Sequence, residues 1–343
     1  MNSEFAKPGG ATPGKAEGLL IVVPCLNEAR HMAGLLAQLA PVRRRYGGRI
    51  VVADGGSTDG SREIVAGIAA LESGITLLDN PARVQSAGIN AAVRAFAHEA
   101  RWLVRIDAHC RYPDDFCDRL LDEARATGAA SVVVSMTAEG KRAIQRTIAA
   151  AQNSVAGNGG SRHRLPARGE FVDHGHHALI SIEAFRAVGG YDPSFTHNED
   201  AELDYRLVRA GYRIWLTAQT QVAYFPRESF AALAGQYFAY GKGRARNLLK
   251  HRVFPRLRQT KVMMVLPAVF LATLAGVHIA FALPFLLWLG YCLVAGLRIA
   301  WRARDARLLV SGFSALIMHL TWSMGFWRGL LSSLSAQGHG GTA

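Results

Sequence analysis

The chain has 343 residues, of which 50% are hydrophobic, and this is enough for one α/β domain of ordinary size and an appendage. The formal net charge of +13 would suit a nucleic-acid-binding protein. However, much of the basic excess is concentrated at 242–261 and 298–307, beside apolar runs, where membrane proteins place cytoplasmic charge. The sequence also has no zinc-ligand spacing, basic heptad region or aromatic RNA-binding motif. The charge therefore indicates a membrane surface, with no nucleic acid as partner.

The first hundred residues alternate between two periodicities. Apolar, β-branched runs predict strands at 18–23, 49–53, 75–78 and 102–106. Apolar residues at helical spacing predict helices at 29–39, 62–71 and 88–97. This order predicts an α/β fold with a mostly parallel sheet between helices, in which ligands bind beyond the carboxyl ends of the strands.

Polar turns follow three of these strands, and they all fall at that edge. Asp107 and His109 come directly after the fourth strand, at a spacing that places both side chains on the same side. A carboxylate and an imidazole there can share one divalent cation, which can neutralise a pyrophosphate. Alternatively, Asp107 caps the next turn and His109 is a surface histidine. The convergence of three polar turns on one edge favours a site.

The three turns resemble the nucleotide-sugar-binding half of glycosyltransferase family 2, which has the GT-A fold. The motifs are Pro24-Cys25-Leu26-Asn27-Glu28, Asp54-Gly55-Gly56-Ser57-Thr58-Asp59-Gly60-Ser61 and Asp107-Ala108-His109. The resemblance extends from residue 19 to about residue 246. It implies a nucleoside diphosphate sugar donor, with its base and ribose at residues 24–28 and Asp54. It also implies that Asp107 and His109 hold Mn²⁺ or Mg²⁺ on the diphosphate, although the family usually has acidic residues where Gly55 and His109 stand.

Two further groups lie near these motifs. In the family, the helix that would carry Arg83 and Asn90 approaches the donor, whereas Arg83 taken alone could be a solvated cation. The glycine-rich loop 157–164, which contains Arg162, could cradle phosphate through its backbone N–H groups or be a plain surface loop.

Residues 173–177 contain three histidines and an aspartate. Because alternate residues of a strand face opposite sides, only His174 and His176 could converge. The interpretation preferred here is a polar acceptor site, in which neutral imidazoles bind sugar hydroxyls; a second metal site is the alternative.

A helix that begins near residue 198 has an unusually acidic first turn. Helix capping explains some of these carboxylates, but four within six residues are more than a cap needs. The family places a Glu-Asp pair here, with the aspartate as catalytic base, and Glu199 and Asp200 match it. The chemistry requires such a group, because the acceptor hydroxyl must lose a proton as it attacks the anomeric carbon.

The C-terminal third is predicted to meet a membrane. Phe230, Leu233, Tyr237 and Phe238 suit an amphipathic helix on the bilayer surface. Three nearby polar residues could bind the leaving diphosphate or the acceptor's lipid phosphate: Gln236, Lys242 and Arg244. The two cations could instead only neutralise lipid headgroups.

Residues 262–301 have the length of two membrane spans, and residues 308–331 form a third, although a shorter re-entrant hairpin is an alternative. The predicted domains are a flexible tail (1–17), the GT-A catalytic domain (18–228), amphipathic interface helices (229–260), a membrane domain (261–331) and a second tail (332–343).

The sequence thus predicts an inverting, metal-dependent glycosyltransferase in the inner membrane, multi-pass, with its catalytic domain facing the cytoplasm. The expected donor is a UDP-sugar, and the expected acceptor is a polyprenyl-diphosphate-linked saccharide in exopolysaccharide or surface glycan assembly. Two alternatives remain at this point: a transferase that charges polyprenyl phosphate, and a non-catalytic membrane scaffold that binds nucleotide sugars.

Overall fold

The computed structural model describes residues 17–338. Most of the expected N-terminal tail (1–16) and the end of the C-terminal tail (339–343) lie outside the described residues. Residues 332–338 belong to the last helix rather than to a tail.

Within this range the structure contains one sheet of nine strands, ordered β3-β2-β1-β4-β8-β6-β9-β5, with β7 paired to β9. The strands are β1 (Leu19–Cys25), β2 (Gly48–Asp54), β3 (Ile75–Asp79), β4 (Trp102–Arg105), β5 (Cys110–Arg111), β6 (Ser131–Ala138), β7 (Glu170–Val172), β8 (His176–Ser181) and β9 (Ile214–Tyr224). Strands β1 to β4 pair in parallel, which confirms the predicted arrangement of the first half. Strand β8 runs antiparallel to both β4 and β6.

Helices cover both faces of the sheet and continue beyond it. They are α1 (Ala29–Tyr46), α2 (Ser61–Leu71), α3 (Gln85–Phe96), α4 (Phe116–Thr127), α5 (Ala143–Gln152), α6 (Val155–Asn158), α7 (Ile182–Ala187), α8 (Glu199–Arg209), α9 (Phe230–His251), α10 (Leu257–Met263), α11 (Val265–Ala272), α12 (Leu283–Ala303) and α13 (Ser311–Gly338). One core lies between the sheet and α1, α2 and α4, and a second lies between the sheet and α3, α7 and α8. Residues 19–23 of β1 are completely buried, as expected of a strand covered on both faces.

The strand register brings the polar turns to one edge of the sheet. Cys25, the last residue of β1, pairs with Asp54, the last residue of β2. On the other side of β1, Val22 pairs with Arg105, so Asp107 emerges close to the end of β1. The predicted convergence of these turns at the carboxyl edge is therefore confirmed.

Helix α9 packs along α13, which differs from the expected bilayer contact of its apolar face. Leu233 of α9 is completely buried in a cluster with Ile148 of α5 and Met318 of α13. The physical reason is that α13 is itself largely apolar and supplies a protein surface for this face.

Two helical segments are long and apolar enough to cross a membrane among the described residues, Ile279–Ala303 and Ala306–Ser333. The first expected span instead forms α10 and α11, and the eight residues of α11 rise only about 12 Å. Most of the large apolar side chains that remain exposed follow residue 253, which is typical of a surface that contacts lipid or another partner.

The close contact between α9 and α13 depends on glycine. A Cβ atom at Gly241 would collide with the carbonyl oxygen of Trp322, and one at Gly325 would collide with that of Phe238. We expect Gly241→Leu to destabilise the folded protein by about 1–3 kcal/mol, because the helices would have to separate. Thermal unfolding of the detergent-solubilised chain measures this loss. Gly235→Leu is the matched control, since that position of α9 faces open space; equal melting temperatures for the two variants would contradict the prediction.

Candidate active site

A cavity of about 1160 Å³ opens at the carboxyl edge of β1 and β4. Its walls come from the turns after these strands, the loop after α6, the start of α8, and side chains of α9 and α13. It is lined by ten of the residues singled out from the sequence: Pro24, Glu28, Asp107, His109, His174, His176, Glu199, Asp200, Gln236 and Arg244.

Arg105 is the cation at the centre of the acidic part of this cavity. It ends β4, and its side chain is 8% exposed. Its Nη1 donates to Asp200 Oδ1 at 2.5 Å, its Nε donates to Asp107 Oδ1 at 3.3 Å, and its Nη2 lies 3.8 Å from Glu199 Oε1. One guanidinium therefore connects the carboxylate that follows β4 to the Glu-Asp pair that begins α8.

His176 connects the same two aspartates from the opposite side. Its Nε2 lies 3.6 Å from Asp107 Oδ2, and its Nδ1 lies 3.7 Å from Asp200 Oδ2. The imidazole reaches this position because β8 is inserted next to β4. Burial and the charge of Arg105 lower the pKa of His176 to about 4 against the opposing effect of the two carboxylates, so the ring is neutral at neutral pH.

Asp107 is ionised throughout the neutral range. Burial by itself would raise its pKa, but Arg105, His176 and His109 outweigh burial and lower the pKa to about 2. Gln85 Nε2 also donates to Asp107 Oδ1 at 3.1 Å. The carboxylate is therefore held in place and charged, as a cation ligand must be.

His109 has the surroundings of a metal-binding imidazole. Its Nδ1 lies 2.9 Å from Glu28 Oε1, and metal-ligating histidines commonly bond a carboxylate through the second ring nitrogen. Among residues 17–338, no group of three or more His, Cys, Asp or Glu side chains could hold a metal ion. Asp107 and His109 are side chains of types that bind divalent cations, and a cation held by these two alone would need further ligands from outside the pair.

The start of α8 is shaped by Asn198, which has a left-handed conformation with φ of 62°. Its Nδ2 donates to the carbonyl oxygen of Tyr240 at 2.9 Å and so ties α8 to α9. The following Asp200 accepts from the Tyr191 hydroxyl at 2.9 Å on the same Oδ1 that Arg105 contacts. These contacts orient the carboxylate and leave its Oδ2 on the side of His176.

His174 and Gln236 line the wall opposite the strand ends. His174 Nδ1 lies 2.7 Å from Oδ2 of the buried Asp204, which fixes the orientation of the ring. Gln236 Nε2 donates to the hydroxyls of Tyr224 and Tyr240 at 3.0 and 2.9 Å. The predicted convergence of His174 and His176 on one cavity is present in the structure, with different carboxylate partners for the two rings.

The remaining predicted site residues do not line the cavity: Cys25, Asn27, Asp54, Arg83, Asn90, Arg162 and Lys242. Asp54 is 1% exposed, and its oxygens accept from Gly56 N, Ser57 Oγ and Arg62 Nη1. These contacts keep the pKa of Asp54 low in spite of its burial. In this structure Asp54 braces the loop after β2.

The neighbouring residues of that loop region also bond to the protein itself. Asn27 Oδ1 accepts from the backbone N–H of Thr58 at 2.9 Å, and the Cys25 thiol lies 3.8 Å from the hydroxyl of Ser57. These contacts join the turn after β1 to the loop after β2.

Of the other four predicted residues outside the cavity, Asn90 positions a neighbouring residue and three are cations at the surface. Asn90 bonds both backbone groups of Tyr191, through its Nδ2 at 2.7 Å and its Oδ1 at 2.9 Å. It therefore positions the tyrosine that contacts Asp200. Arg162 is ion-paired with Glu170, and Arg83 and Lys242 are exposed.

Comparison with known proteins identifies the family of the chain. Residues 20–189 match the family model of "Glycosyl transferase family 2". The chain is 52% identical over 312 residues to the succinoglycan biosynthesis protein ExoA of Rhizobium meliloti (strain 1021), which covers 91% of this chain and 94% of that relative. The chain belongs to glycosyltransferase family 2. It is therefore a glycosyltransferase that resembles ExoA, as the sequence motifs predict.

Solved structures show that the transferase has the GT-A fold. The mannosyltransferase PcManGT of Pyrobaculum calidifontis, solved with GDP-Man and Mn²⁺, matches with a TM-score of 0.57 and 16% identity over 95% of this chain and 90% of that one. GalNAc-T7, solved with UDP, GalNAc and Mn²⁺, matches with a TM-score of 0.51 and 14% identity over 74% of this chain and 51% of that one. The expected fold class is thus confirmed.

The sequence analysis of this transferase missed Arg105, Gln85 and Tyr191. Arg105 alone gave a usable signal: it is a charged residue within an otherwise apolar, buried strand, and a buried charge needs a partner. The contacts of Gln85 and Tyr191 arise only from tertiary packing. For example, Gln85 contacts Asp107, which lies 22 residues later in the sequence. Gln85 stands in no distinctive pattern, and the Gly-Gly-Tyr-Asp turn that contains Tyr191 resembles the family without indicating a contact with Asp200.

The charge of Glu199 is expected to make the transferase less stable as the pH rises. Burial and the neighbouring Asp200 raise the pKa of Glu199 to about 7, against the effect of Arg105, from an ordinary value of 4.5 in the unfolded chain. Between these two values the folded protein binds the extra proton, so stability falls as the pH increases. Glu199→Gln should therefore be more stable than the natural protein at pH 8, by on the order of 3 kcal/mol, and by less than about 1 kcal/mol at pH 5.

Urea unfolding at pH 5 and pH 8 measures this difference. Glu63→Gln is the control, because Glu63 is exposed on α2. A Glu199→Gln variant that is more stable than the natural protein by the same amount at both pH values would contradict the raised pKa of Glu199.

Proposed function

We propose that this glycosyltransferase transfers a sugar, with inversion, from a UDP-sugar to a saccharide carried on polyprenyl diphosphate. The observation that carries the proposal is the position of Asp107 and Asp200, which face one cavity and share the contacts of Arg105 and His176. A donor-phosphate ligand and a proton acceptor must lie this close if a hydroxyl is to displace a nucleoside diphosphate.

Asp200 accepts the proton of the attacking hydroxyl in this proposal. Its Oδ1 accepts from Arg105 and Tyr191, and in this proposal the proton goes to Oδ2, the oxygen on the side of His176. The neutral ring of His176 can hydrogen-bond the acceptor without competing for the proton, since its pKa of about 4 makes it a weak base. Attack on the face opposite the leaving diphosphate inverts the anomeric carbon.

Asp107 and His109 would hold a divalent cation, Mn²⁺ or Mg²⁺, which supplies charge neutralisation to the leaving diphosphate when bound. The ionised state of Asp107 and the Glu28 contact of His109 support this assignment. The presence of Mn²⁺ in the structures of PcManGT and GalNAc-T7 supports it as well. The carboxylate contributes a fixed charge that is independent of pH above about 4.

The C-terminal helices and the relative support the proposed acceptor and location. ExoA is a succinoglycan biosynthesis protein, which supports a role in exopolysaccharide assembly. Arg302 lies in the last turn of α12, and Arg304 and Arg307 lie in the connection from α12 to α13. The adjoining Ser314 lies 3.5 Å from Thr147 of the catalytic domain. If the two helices cross the inner membrane, these arginines lie on the same side as the catalytic domain, which the positive-inside rule assigns to the cytoplasm.

A donor screen with the purified full-length chain tests the proposal. Nucleotide release is measured with UDP-, GDP- and TDP-sugars in the presence of polyprenyl-diphosphate-linked and polyprenyl-phosphate acceptors. We expect release from UDP-sugars with the diphosphate-linked acceptor, loss of activity in EDTA and recovery with Mn²⁺. Full activity in EDTA would overturn the cation assignment. Donor binding without turnover on any acceptor would overturn the transfer reaction and indicate a scaffold.

A further inference from the structure

The cavity wall carries an acidic cluster and a set of arginines, called here the acidic end and the basic end. Asp107, Glu199 and Asp200 gather around Arg105 at the strand ends. A second part of the wall carries three arginines, Arg164, Arg244 and Arg258. The two ends therefore suit different ligands, a cation with its bound phosphates at the first and a bare anion at the second.

None of the three arginines forms an ion pair within the part of the chain that the structure describes. Arg164 Nη1 is buried without a hydrogen bond, and the guanidinium lies over the ring of Tyr224 at 5.3 Å. Arg258 Nη1 reaches only the hydroxyl of Ser161, at 3.3 Å. No hydrogen bond or ion pair joins Arg244 to any residue within 17–338. By contrast, the nearby Arg256 is paired with Asp173 and does not line the cavity.

The electrostatic surroundings of these arginines favour an additional anion. Burial and the charges of Arg258 and Arg256 lower the pKa of Arg244 to about 10, against the weaker effect of Asp173. The pKa of His163 is lowered mainly by burial, His174 and Arg164. Arg258 also contributes to this decrease. Cations that are buried together without counter-charge are destabilising, and an anionic ligand would relieve this.

The basic end of the cavity continues onto apolar side chains of the C-terminal helices. Val262 of α10 and Met318 and Trp322 of α13 line the same cavity. Helix α13 is one of the two segments of membrane-spanning length. A ligand at the arginines can therefore be an anion that carries a long apolar chain.

We propose that Arg164, Arg244 and Arg258 bind the diphosphate of the acceptor lipid, with the first part of its polyprenyl chain against Met318 and Trp322. This inference rests on the proposed function, since it assigns the site of the lipid-linked acceptor. Separate sites for the two diphosphates allow the donor and the acceptor to be bound at the same time. The arginine fork suits a diphosphate better than an ammonium would, because it offers paired N–H donors.

Binding of farnesyl diphosphate to the full-length chain in detergent tests the site. Arg244→Gln and Arg258→Gln should each weaken binding by about tenfold or more, because each removes charge-assisted hydrogen bonds. Arg244→Lys should recover part of the affinity. Binding of UDP with Mn²⁺ should stay within about twofold in all three variants, since the donor uses the acidic end. The matched control is Arg252→Gln, an exposed arginine at the end of α9 that removes the same charge outside the cavity.

Three other probes identify the source of the anion. Inorganic pyrophosphate should bind weakly and with the same dependence on Arg244, and farnesol should show no such dependence. Phosphatidylglycerol vesicles should bind equally to Arg244→Gln and Arg252→Gln. Vesicle binding that is lost selectively in Arg244→Gln would overturn the proposal in favour of a bilayer headgroup site.

The outcomes separate this inference from the proposed function. Unchanged farnesyl diphosphate binding in both glutamine variants, or equal losses in Arg252→Gln, would overturn the lipid site and leave sugar transfer intact. Equal losses of UDP and farnesyl diphosphate binding would also overturn the lipid site. The same conclusion would follow if Arg244→Lys bound farnesyl diphosphate no more tightly than Arg244→Gln. A failed donor screen with selective loss of farnesyl diphosphate binding would overturn the transfer reaction and support the lipid site.

Discussion

Asp200→Asn is expected to reduce sugar transfer by about a thousandfold or more, while the affinity for UDP with Mn²⁺ stays within a fewfold of the natural protein. The asparagine preserves the shape of the side chain and its contacts with Tyr191, but it cannot accept a proton. General bases contribute about 10²–10⁴ to rate, and a thousandfold loss lies in the middle of this range. His176 is a poor substitute because its pKa is about 4.

Turnover of the donor and acceptor pair, with UDP binding measured separately by calorimetry, distinguishes the chemical step from binding. Asp122→Asn is the control, because it makes the same chemical change at an exposed ion pair with Arg125. Turnover of Asp200→Asn at a rate close to that of the control would remove Asp200 from the role of base. A loss of UDP affinity that equals the loss of turnover would assign Asp200 to donor binding.

Replacing Arg105 with glutamine should have the second largest effect, because it reduces both stability and activity. The substitution leaves Asp107 and Asp200 side by side in a buried site without their shared cation. Breaking a buried ion pair in this way typically costs about 3–5 kcal/mol. Arg105→Lys keeps the charge but cannot contact both aspartates with separate nitrogens of a planar fork, so we expect a stable protein with reduced kcat.

Thermal unfolding and the separate values of kcat and KM for the donor test these two variants. Arg101→Gln is the control, since Arg101 precedes the same strand but is 60% exposed. An Arg105→Gln variant as stable as this control would contradict the role of Arg105 as counter-charge. An Arg105→Lys variant with natural kcat would show that charge alone is sufficient at this position.

The sequence was most informative where local pattern determines structure. The β-branched run of β1 and the apolar spacing in α1 depend on neighbours a few residues away, and both elements form as predicted. Because parallel strands must end at one edge, the polar turns after β1 and β4 could be placed together without any tertiary information. The resemblance to a known family then supplied the expected roles of Asp107 and Asp200.

The direction in which each polar side chain turns could not be predicted in the same way. Asp54 ends one strand, and Asp107 follows another. The side chain of Asp54 is nevertheless held inside the protein by Arg62 and Ser57. Arg105 contacts Asp200 across 95 residues of sequence, and only the packing of α8 against the sheet creates this pair. Side-chain partners of this kind depend on the whole fold, which periodicity does not describe.

The predicted membrane segments show a related limit of what amino-acid composition can predict. Residues 262–276 are as apolar as a span, but the helix stops and restarts, so α11 has only eight residues. The apolar face of α9 was predicted to contact lipid. It packs on α13 instead, because that helix lies beside it. Apolar composition indicates that a face will be covered, and the covering partner is determined by the rest of the chain.

If α13 crosses a membrane, its close packing on α9 fixes the height of the cavity relative to the bilayer. Gly241 and Gly325 hold the two helices together, and Gln236 and Trp322, one from each helix, line the cavity. With α13 in a membrane, the cavity stays at a constant distance from the bilayer. Under the proposed function, this distance selects acceptor sugars close to the lipid anchor, which suits the addition of single units early in a chain.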